Sequence, residues 1–365
     1  MNPINPDQRD GNARALFFSR GRGRGHVFPD IAIAEEIARI TPGLEISFSS
    51  YATGAETFRS LGRNVWDLEL PEANPFVTTL MRAGRLIREL SPDIVIAHEE
   101  FAALVAANIS NVPSIFTGAW FPKLGSVSAE SLACSDSVII RGEAGIFAPP
   151  PDLSRKPIYV GPVIRRMSCT ANDRPRLRRE LEIGPSVFVM TVVQGGWATE
   201  ARAPIAATVI AAFRQLEFEN KKCFWLAGSD HELIMDLTKS QGGFEVCRFY
   251  DDVERLYAAS DVIVTKGTYG ATIEAASLGV HSVSISHASN PVDEILVPRI
   301  RSNIALSASA TDGDVLADRL RSLVSLQKGP EPLLIHESGA SKAALAIVLE
   351  TERILGRNLG RMQVG

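Results

Sequence analysis

Lys266-Gly-Thr-Tyr-Gly-Ala-Thr-Ile-Glu274 follows the short apolar stretch Val262–Thr265, breaks at glycine and then reads as a helix. A strand, a glycine turn and a helix start make an anion site, because free backbone N–H groups and the positive helix end face the space above the sheet. Glu274, one turn into that helix, can accept hydrogen bonds from a ribose diol while the helix end holds the attached phosphates. A second acidic pair, Asp293-Glu294, comes after the next short strand at 282–286. Diphosphate, ribose and a second sugar are the parts of a nucleotide sugar, and that ligand class is the first expectation.

A second candidate lies near the amino end, in Ser19-Arg-Gly-Arg-Gly-Arg-Gly25-His26-Val-Phe-Pro-Asp30. Its glycines alternate with arginines and do not match the Gly-x-Gly-x-x-Gly spacing of dinucleotide sites, and no carboxylate ends the following strand. A nicotinamide or flavin enzyme is excluded at this loop. Gly25 allows close backbone approach, and Arg20, Arg22 and Arg24 place positive charge at a helix start, which suits a phosphate. The plainer alternative is a solvated basic turn. His26 stands where loop becomes helix. A helix start favours neutral imidazole, so His26 can serve as general base toward an acceptor hydroxyl, or simply cap and pack. His98-Glu99-Glu100 ends another strand, at the edge where α/β ligands gather. One carboxylate can orient His26 or bind the acceptor; equally, the acids can open a surface helix. His287, near the acidic pair, is a loop histidine with or without a contact to the ligand.

These residues need a scaffold that brings strand ends together, and the pattern supplies one. Short apolar strands are predicted at 15–18, 44–48, 93–97, 112–116, 137–140 and 158–160, alternating with helices such as 28–40. After a break at 161–175 the alternation restarts with strands at 187–193, 222–226, 245–249 and 262–265 and a helix at 201–216. Such alternation predicts an α/β fold of two Rossmann-like parallel-sheet domains, 1–165 and 166–365, facing each other across a ligand cleft. Residues 1–12 read as a loose tail, and 338–357 as a closing helix counted with the second domain and able to pack across either half. Arg82, Arg85 and Arg88 share a helical face beside Phe76, Val77, Leu80 and Met81, while Leu86, Ile87 and Leu90 form an ordinary buried stripe.

Gly-Arg-Gly-Arg-Gly-His-Val-Phe-Pro-Asp-Ile-Ala-Ile-Ala-Glu-Glu resembles the glycine loop and first helix of the bacterial peptidoglycan N-acetylglucosaminyltransferases. Arg248-Phe-Tyr-Asp-Asp-Val-Glu-Arg-Leu-Tyr-Ala-Ala-Ser-Asp-Val-Ile-Val and 266–280 resemble the donor-binding region of those enzymes and their relatives, the GT-B nucleotide-sugar glycosyltransferases. The resemblance implies an acceptor half first and a donor half second, a uridine-linked donor, and His26 as the base or beside the reacting hydroxyl. It places Gln194-Gly195-Gly196 at the donor phosphates and Phe249 and Tyr250 beside the nucleobase. Gly270 and Thr272 fall on the phosphate side, Glu274 at the ribose, and Asp293 and Glu294 at the donor sugar. It also implies membrane contact through the arginine-bearing helix. Three positions depart from the pattern. Lys266-Gly-Thr replaces a common His-Gly-Gly, and a carboxylate at Glu294 replaces an amide, which removes two donors from the sugar site. Trp197 follows the second glycine loop, to stack on a ligand or cover the core.

Composition narrows the classes further. Of 365 residues 45% are hydrophobic and 22% charged, as in ordinary globular proteins. The net charge of −4 argues against a general nucleic-acid binder. Cys134, Cys169, Cys223 and Cys247 are scattered, with neither metal spacing nor a disulfide pattern. No apolar run reaches the length of a membrane span, so a cytoplasmic chain is expected, with peripheral membrane contact the variant that the resemblance adds. The expected reaction is metal-independent sugar transfer to a hydroxyl acceptor, phosphorylated or lipid-linked, with inversion preferred, no cofactor and no nucleic-acid partner. Lys266 and the glycine-loop amides would stabilise the leaving diphosphate. Two alternatives share the architecture: a nucleotide-sugar hydrolase or epimerase, and a non-catalytic nucleotide-sugar binding protein.

Overall fold

The structure, a computed structural model, describes residues 12–118, 126–145, 153, 156–194, 202–266, 269–286, 300–326, 330–332 and 339–360. The chain divides into two compact units, Met1–Arg165 with His336–Gly365, and Arg166–Ile335. In the first unit the order is β1 Ala13–Ser19, α1 Val27–Ile40, β2 Leu44–Ser50, α2 Ala52–Ser60, β3 Trp66–Asp67, α3 Phe76–Leu90, β4 Ile94–His98, α4 Phe101–Ile109, β5 Ser114–Gly118, α5 Ser126–Ala133, β6 Ser137–Ile140 and β7 Ile158–Tyr159. The second unit has α6 Arg174–Glu180, β8 Phe188–Val193, α7 Arg202–Gln215, β9 Lys221–Leu226, α8 His231–Thr238, β10 Phe244–Cys247, α9 Val253–Ala259, β11 Val262–Thr265, α10 Tyr269–Ser277, β12 His281–Ser286, β13 Asn303–Ser307 and α11 Gly313–Val324. Then α12, Gly339–Leu355, returns to the first.

Each unit is built on one parallel sheet, as the alternation predicts. The strand orders are β3-β2-β1-β4-β5-β6-β7 and β10-β9-β8-β11-β12-β13. In both, the order reverses beside the first strand, between β1 and β4 and between β8 and β11. The helices then leave on opposite faces and open a crevice at the carboxyl edge. The alternation of side chains along each strand fills both faces. Phe17, Ile96, Ile115 and Ile139 pack on one side with Ile33 and Ile37 of α1 and Ala343 and Ile347 of α12. Leu16, Phe18, Val95 and Phe116 pack on the other with Ile87 of α3 and Leu104 of α4. In the second sheet Met190, Trp225 and Val264 meet α7 and α11, while Val189, Phe224 and Ile263 meet α9.

The closing helix corrects one expectation. The sequence reading counted 338–357 with the second domain, yet α12 completes the first sheet's cover against α1. Its buried face of Ala343, Ala344, Ile347 and Val348 matches the apolar stripe of α1.

One buried cation ties the second unit together. Arg178 on α6 donates through Nε to the carbonyl of Ala259, through Nη1 to those of Pro185 and Val187, and through Nη2 to Asp261 Oδ2 at 2.7 Å. Asp261 Oδ2 also accepts from the Val189 N–H at the start of β8. Substituting Arg178 with Met leaves that carboxylate and three carbonyls short of a donor. Arg174 still pairs with Asp261, so the expected loss is about 1–3 kcal/mol of stability, that of buried acceptors left short of a donor. Denaturant titration measures it, and a loss below about 1 kcal/mol would show that the carbonyls find water instead.

Candidate active site

The first unit gathers its charged residues at the carboxyl edge of β1, β4 and β6, around the start of α1. Ser19 ends β1 and lies in register with His98, which ends β4. Glu99 continues the ladder by donating its N–H to the Thr117 carbonyl, and Arg141 does the same toward Gly118. His26 caps α1 without a side-chain hydrogen bond to the helix amides. Its Nε2 lies 3.2 Å from Glu99 Oε2, with both side chains 19% exposed. Glu99 adopts φ +52°, a left-handed conformation that costs a non-glycine residue energy and is kept where surroundings enforce it.

Burial alone would raise the Glu99 carboxyl, but the hydrogen bond and charge of His26, helped by Arg141, hold it well below the usual carboxylate range. An ionised Glu99 can only accept, so a neutral His26 keeps its proton on Nε2 and its lone pair on Nδ1. Nδ1 is covered by protein and has no hydrogen-bond partner among the described residues. An imidazole oriented by a carboxylate is one half of a general-base arrangement; Nδ1, the atom that would take the proton, is enclosed in this structure. The second acid has a different partner: Glu100 accepts from the Tyr51 hydroxyl at 3.0 Å. Burial raises both of these groups, the phenol to about 12.

Beneath His26 lies a set of groups that the sequence reading passed over, apart from His98. Asp30, Ser19 and Arg141 are all buried. The Ser19 hydroxyl donates to Asp30 Oδ2. His98 Nδ1 stands 2.8 Å from Asp30 Oδ1, close but off-axis for a hydrogen bond. On its other edge His98 Nε2 meets Arg141 Nη2. Guanidinium can only donate, so Nε2 accepts and the His98 proton sits on Nδ1, toward Asp30. Burial, then the Arg141 charge, press His98 toward that neutral form. The rings of His26 and His98 meet edge-on at 4.6 Å. His26, His98 and Glu99 bring ligand-type atoms within 4.8 Å of one another. The fixed positive charge of Arg141 against His98 makes that cluster a poor cation site.

The arginine loop is held from one side. Any other residue at Gly21 forces a shift, since a Cβ would stand 2.2 Å from the Tyr51 carbonyl oxygen. Arg22 Nε donates to the Glu72 carbonyl, the Gly23 N–H reaches Glu72 Oε1 at 3.4 Å, and Thr53 donates to the same oxygen. Arg24 and Arg165 flank the Phe28 ring at 5.3 and 3.6 Å. At Gly25 a Cβ would meet nothing within 4 Å, so the fold itself does not demand glycine there.

The second unit places its candidates at its own switch point. Gln194 follows β8 and Lys266 follows β11. The Gln194 amide is engaged inside the protein, with Oε1 accepting from Trp225 Nε1 and Nε2 donating to Asp230, both at 2.7 Å. Its side chain therefore anchors the start of the loop. Phe249 and Tyr250 are half-buried just past β10, which ends at Cys247 rather than at 249. On α10, Thr272 is fully buried and Glu274 nearly so, whereas a Cβ on Gly270 would meet nothing. Gly195, Gly196, Trp197, His287, Asp293 and Glu294 lie outside the described residues.

Two measurements follow. Gly21→Ala should cost about 1–3 kcal/mol through overpacking, while Gly25→Ala stays within about 0.5 kcal/mol of the parent in denaturant titration. Asp30 is pushed up by burial, against Arg141, Ser19 and His26, from 3.8 to about 7. Between those values the fold holds a proton that the unfolded chain has released, so this residue's contribution to stability falls as pH rises through the window and is lowest above it. Asp30→Asn has no such titration. Its melting temperature relative to the parent should therefore climb from pH 5 to pH 8, and a constant difference would refute the assignment.

No protein-family profile matches the chain. Among curated proteins it is 25% identical over 300 residues to the UDP-N-acetylglucosamine–N-acetylmuramyl-(pentapeptide) pyrophosphoryl-undecaprenol N-acetylglucosamine transferase of Chlorobaculum parvum, covering 74% of this chain and 78% of that one. Among solved structures it superposes on MurG of Acinetobacter baumannii with a TM-score of 0.58 and 16% identity, over 94% of this chain and 98% of that one. The UDP-GlcNAc 2-epimerase of Methanocaldococcus jannaschii gives 0.61 and 12%, over 92% and 99%. With its two parallel sheets and these likenesses, the chain is a GT-B protein resembling the peptidoglycan N-acetylglucosaminyltransferases among the nucleotide-sugar glycosyltransferases.

Proposed function

We propose that this chain is a glycosyltransferase that moves a sugar from a UDP-linked donor to an acceptor hydroxyl, with His26 as general base. The observation that carries the reading is the imidazole–carboxylate pair at the switch point of the first sheet. Glu99, anionic, holds the His26 proton on Nε2 and supports the positive charge that forms as the ring accepts a second proton. The acceptor oxygen attacks the anomeric carbon as its proton passes to His26, and the sugar–phosphate bond breaks with its electrons going to the nucleotide diphosphate. One displacement inverts the anomeric centre. Lys266 and the start of α10 compensate the leaving charge, with Glu274 on the ribose. The chemistry needs no metal where protein cations and amides fill that role.

Similarity to a transferase named for a pyrophosphoryl-undecaprenol acceptor supports a lipid-linked, phosphorylated acceptor here. The arginines and open Gly25 at the start of α1 suit its phosphates. Among the described residues no helix is long and apolar enough to cross a membrane. Instead α3 exposes Val77 (62%) and Met81 (70%) near the exposed Arg82, Arg85 and Arg88, while Leu86 and Ile87 on its other face are buried. Such a face suits an anionic membrane surface.

A second reading, nucleotide-sugar epimerisation or hydrolysis, draws on the epimerase likeness. Incubation with UDP-N-acetylglucosamine alone separates the two: a transferase leaves it nearly intact, whereas an epimerase or hydrolase converts it. With acceptor present, His26→Ala should lower turnover by roughly 10²–10⁴-fold while UDP affinity by calorimetry holds within about twofold. Equal losses in both would make the histidine structural. Glu274→Ala should weaken UDP by about 1–3 kcal/mol, and unchanged affinity would remove it from the ribose.

A further inference from the structure

Three buried polar side chains below the candidate base are not used by the reaction just described, and each joins different elements. Asp30 sits on α1 four residues after His26, so it moves with the helix start that carries the base. Its carboxylate meets Ser19 at the end of β1 and His98 at the end of β4. Arg141, just past β6, meets His98 from the far side. His98 directly precedes Glu99, the orienting carboxylate, and its ring lies edge-on to that of His26. The set therefore fastens both halves of the His26–Glu99 pair, one through α1 and the other through β4.

We propose that Arg141, His98 and Asp30 are positioning residues, which fix the orientation and proton placement of the His26–Glu99 pair from beneath. The chain of donors has one direction. Arg141 donates to His98 Nε2, His98 directs Nδ1–H toward Asp30, and Asp30 accepts from Ser19. With His98 held neutral, Arg141 is a fixed positive charge acting on the pair. It favours the anion of Glu99, and removing it tests whether its charge reaches His26. The groups facing this array are His26 at the cap of α1, Glu99 just past β4 and Ser19 from β1.

The inference rests on His26 being the reacting base, so its test has one arm with turnover and one without. In the first, Arg141→Gln removes the charge but keeps a donor. Turnover should fall at least tenfold, the donor KM should stay within about twofold, and the acidic limb of the pH–rate profile should move to higher pH. Arg141→Lys keeps the charge and should keep the limb in place. His98→Gln can still accept from Arg141 and place an N–H toward Asp30, so it should retain far more activity than His98→Leu. A proportional loss in all four variants with an unmoved limb would reduce the array to structural support and overturn the proposal. The second arm reads the ring nitrogens by long-range 1H–15N spectra. Wild-type His98 should be Nδ1–H and wild-type His26 Nε2–H, with the His98 preference lost in Arg141→Leu, which leaves Nε2 without a donor. Unchanged tautomers in that variant would overturn the proposal whether or not any sugar is transferred. If Arg141→Gln does not fold, His98→Gln and Arg141→Lys are read in both arms on the same criteria.

Discussion

Strands that run parallel cannot be closed by tight turns, and every other feature of this protein follows from that constraint. Each strand must hand over to a crossover, so all carboxyl ends come to one edge and both faces must be covered. The register then decides which side chains become neighbours. Ser19 pairs with His98, His98 with Thr117, and Thr117 with Ile139, two residues before Arg141. A serine, a histidine and an arginine far apart in sequence are thereby placed in a row, and the order reversal at β1 opens the space above them.

Groups placed in such a row are largely cut off from water, and that makes their pairing obligatory. A buried guanidinium, a buried carboxylate and a half-buried one would be costly singly. Here Arg141 faces an acceptor on His98, Asp30 has Ser19 and His98, and Glu99 has His26. Networks of this kind add little net stability compared with an apolar core, but they define one arrangement sharply. In the second unit Arg178 serves architecture in the same way, among carbonyls and Asp261.

Much of this was legible in the sequence, because periodicity reports burial. The alternation of short apolar strands with amphipathic helices marks both sheets, and the residues at strand ends mark their functional edges. His26, His98 and Glu99 were singled out from position alone, and the structure brings all three together. What escaped was the support below them. Asp30 lies on the apolar stripe of α1, three and seven residues before Ile33 and Ile37, and a charged residue on a buried face was the available signal. Arg141 directly follows the wholly buried Ser137–Ile140, a second such signal. The assignment of α12 to the wrong half had another cause. A helix records its own apolar stripe but not the partner that covers it, and chain order is a poor guide once a segment doubles back. Gln194 shows the limit of motif reasoning: the position matches a donor loop, yet its amide is engaged by Trp225 and Asp230.

The return of α12 has a consequence for how the chain is made. The second unit is, in connectivity, an insertion between the body of the first and its last helix. As the polypeptide leaves the ribosome, the first sheet is complete long before α12 exists, and Phe17, Ile96 and Ile139 lack part of their cover. Synthesis must pass through the whole of the second unit before that face is sealed. A partly built first unit therefore exposes apolar surface for that interval, when chaperones and mispairing compete for it. The completed chain gains a closure in which its end holds its beginning, visible in the Thr41 hydroxyl donating to the Leu359 carbonyl at 2.6 Å.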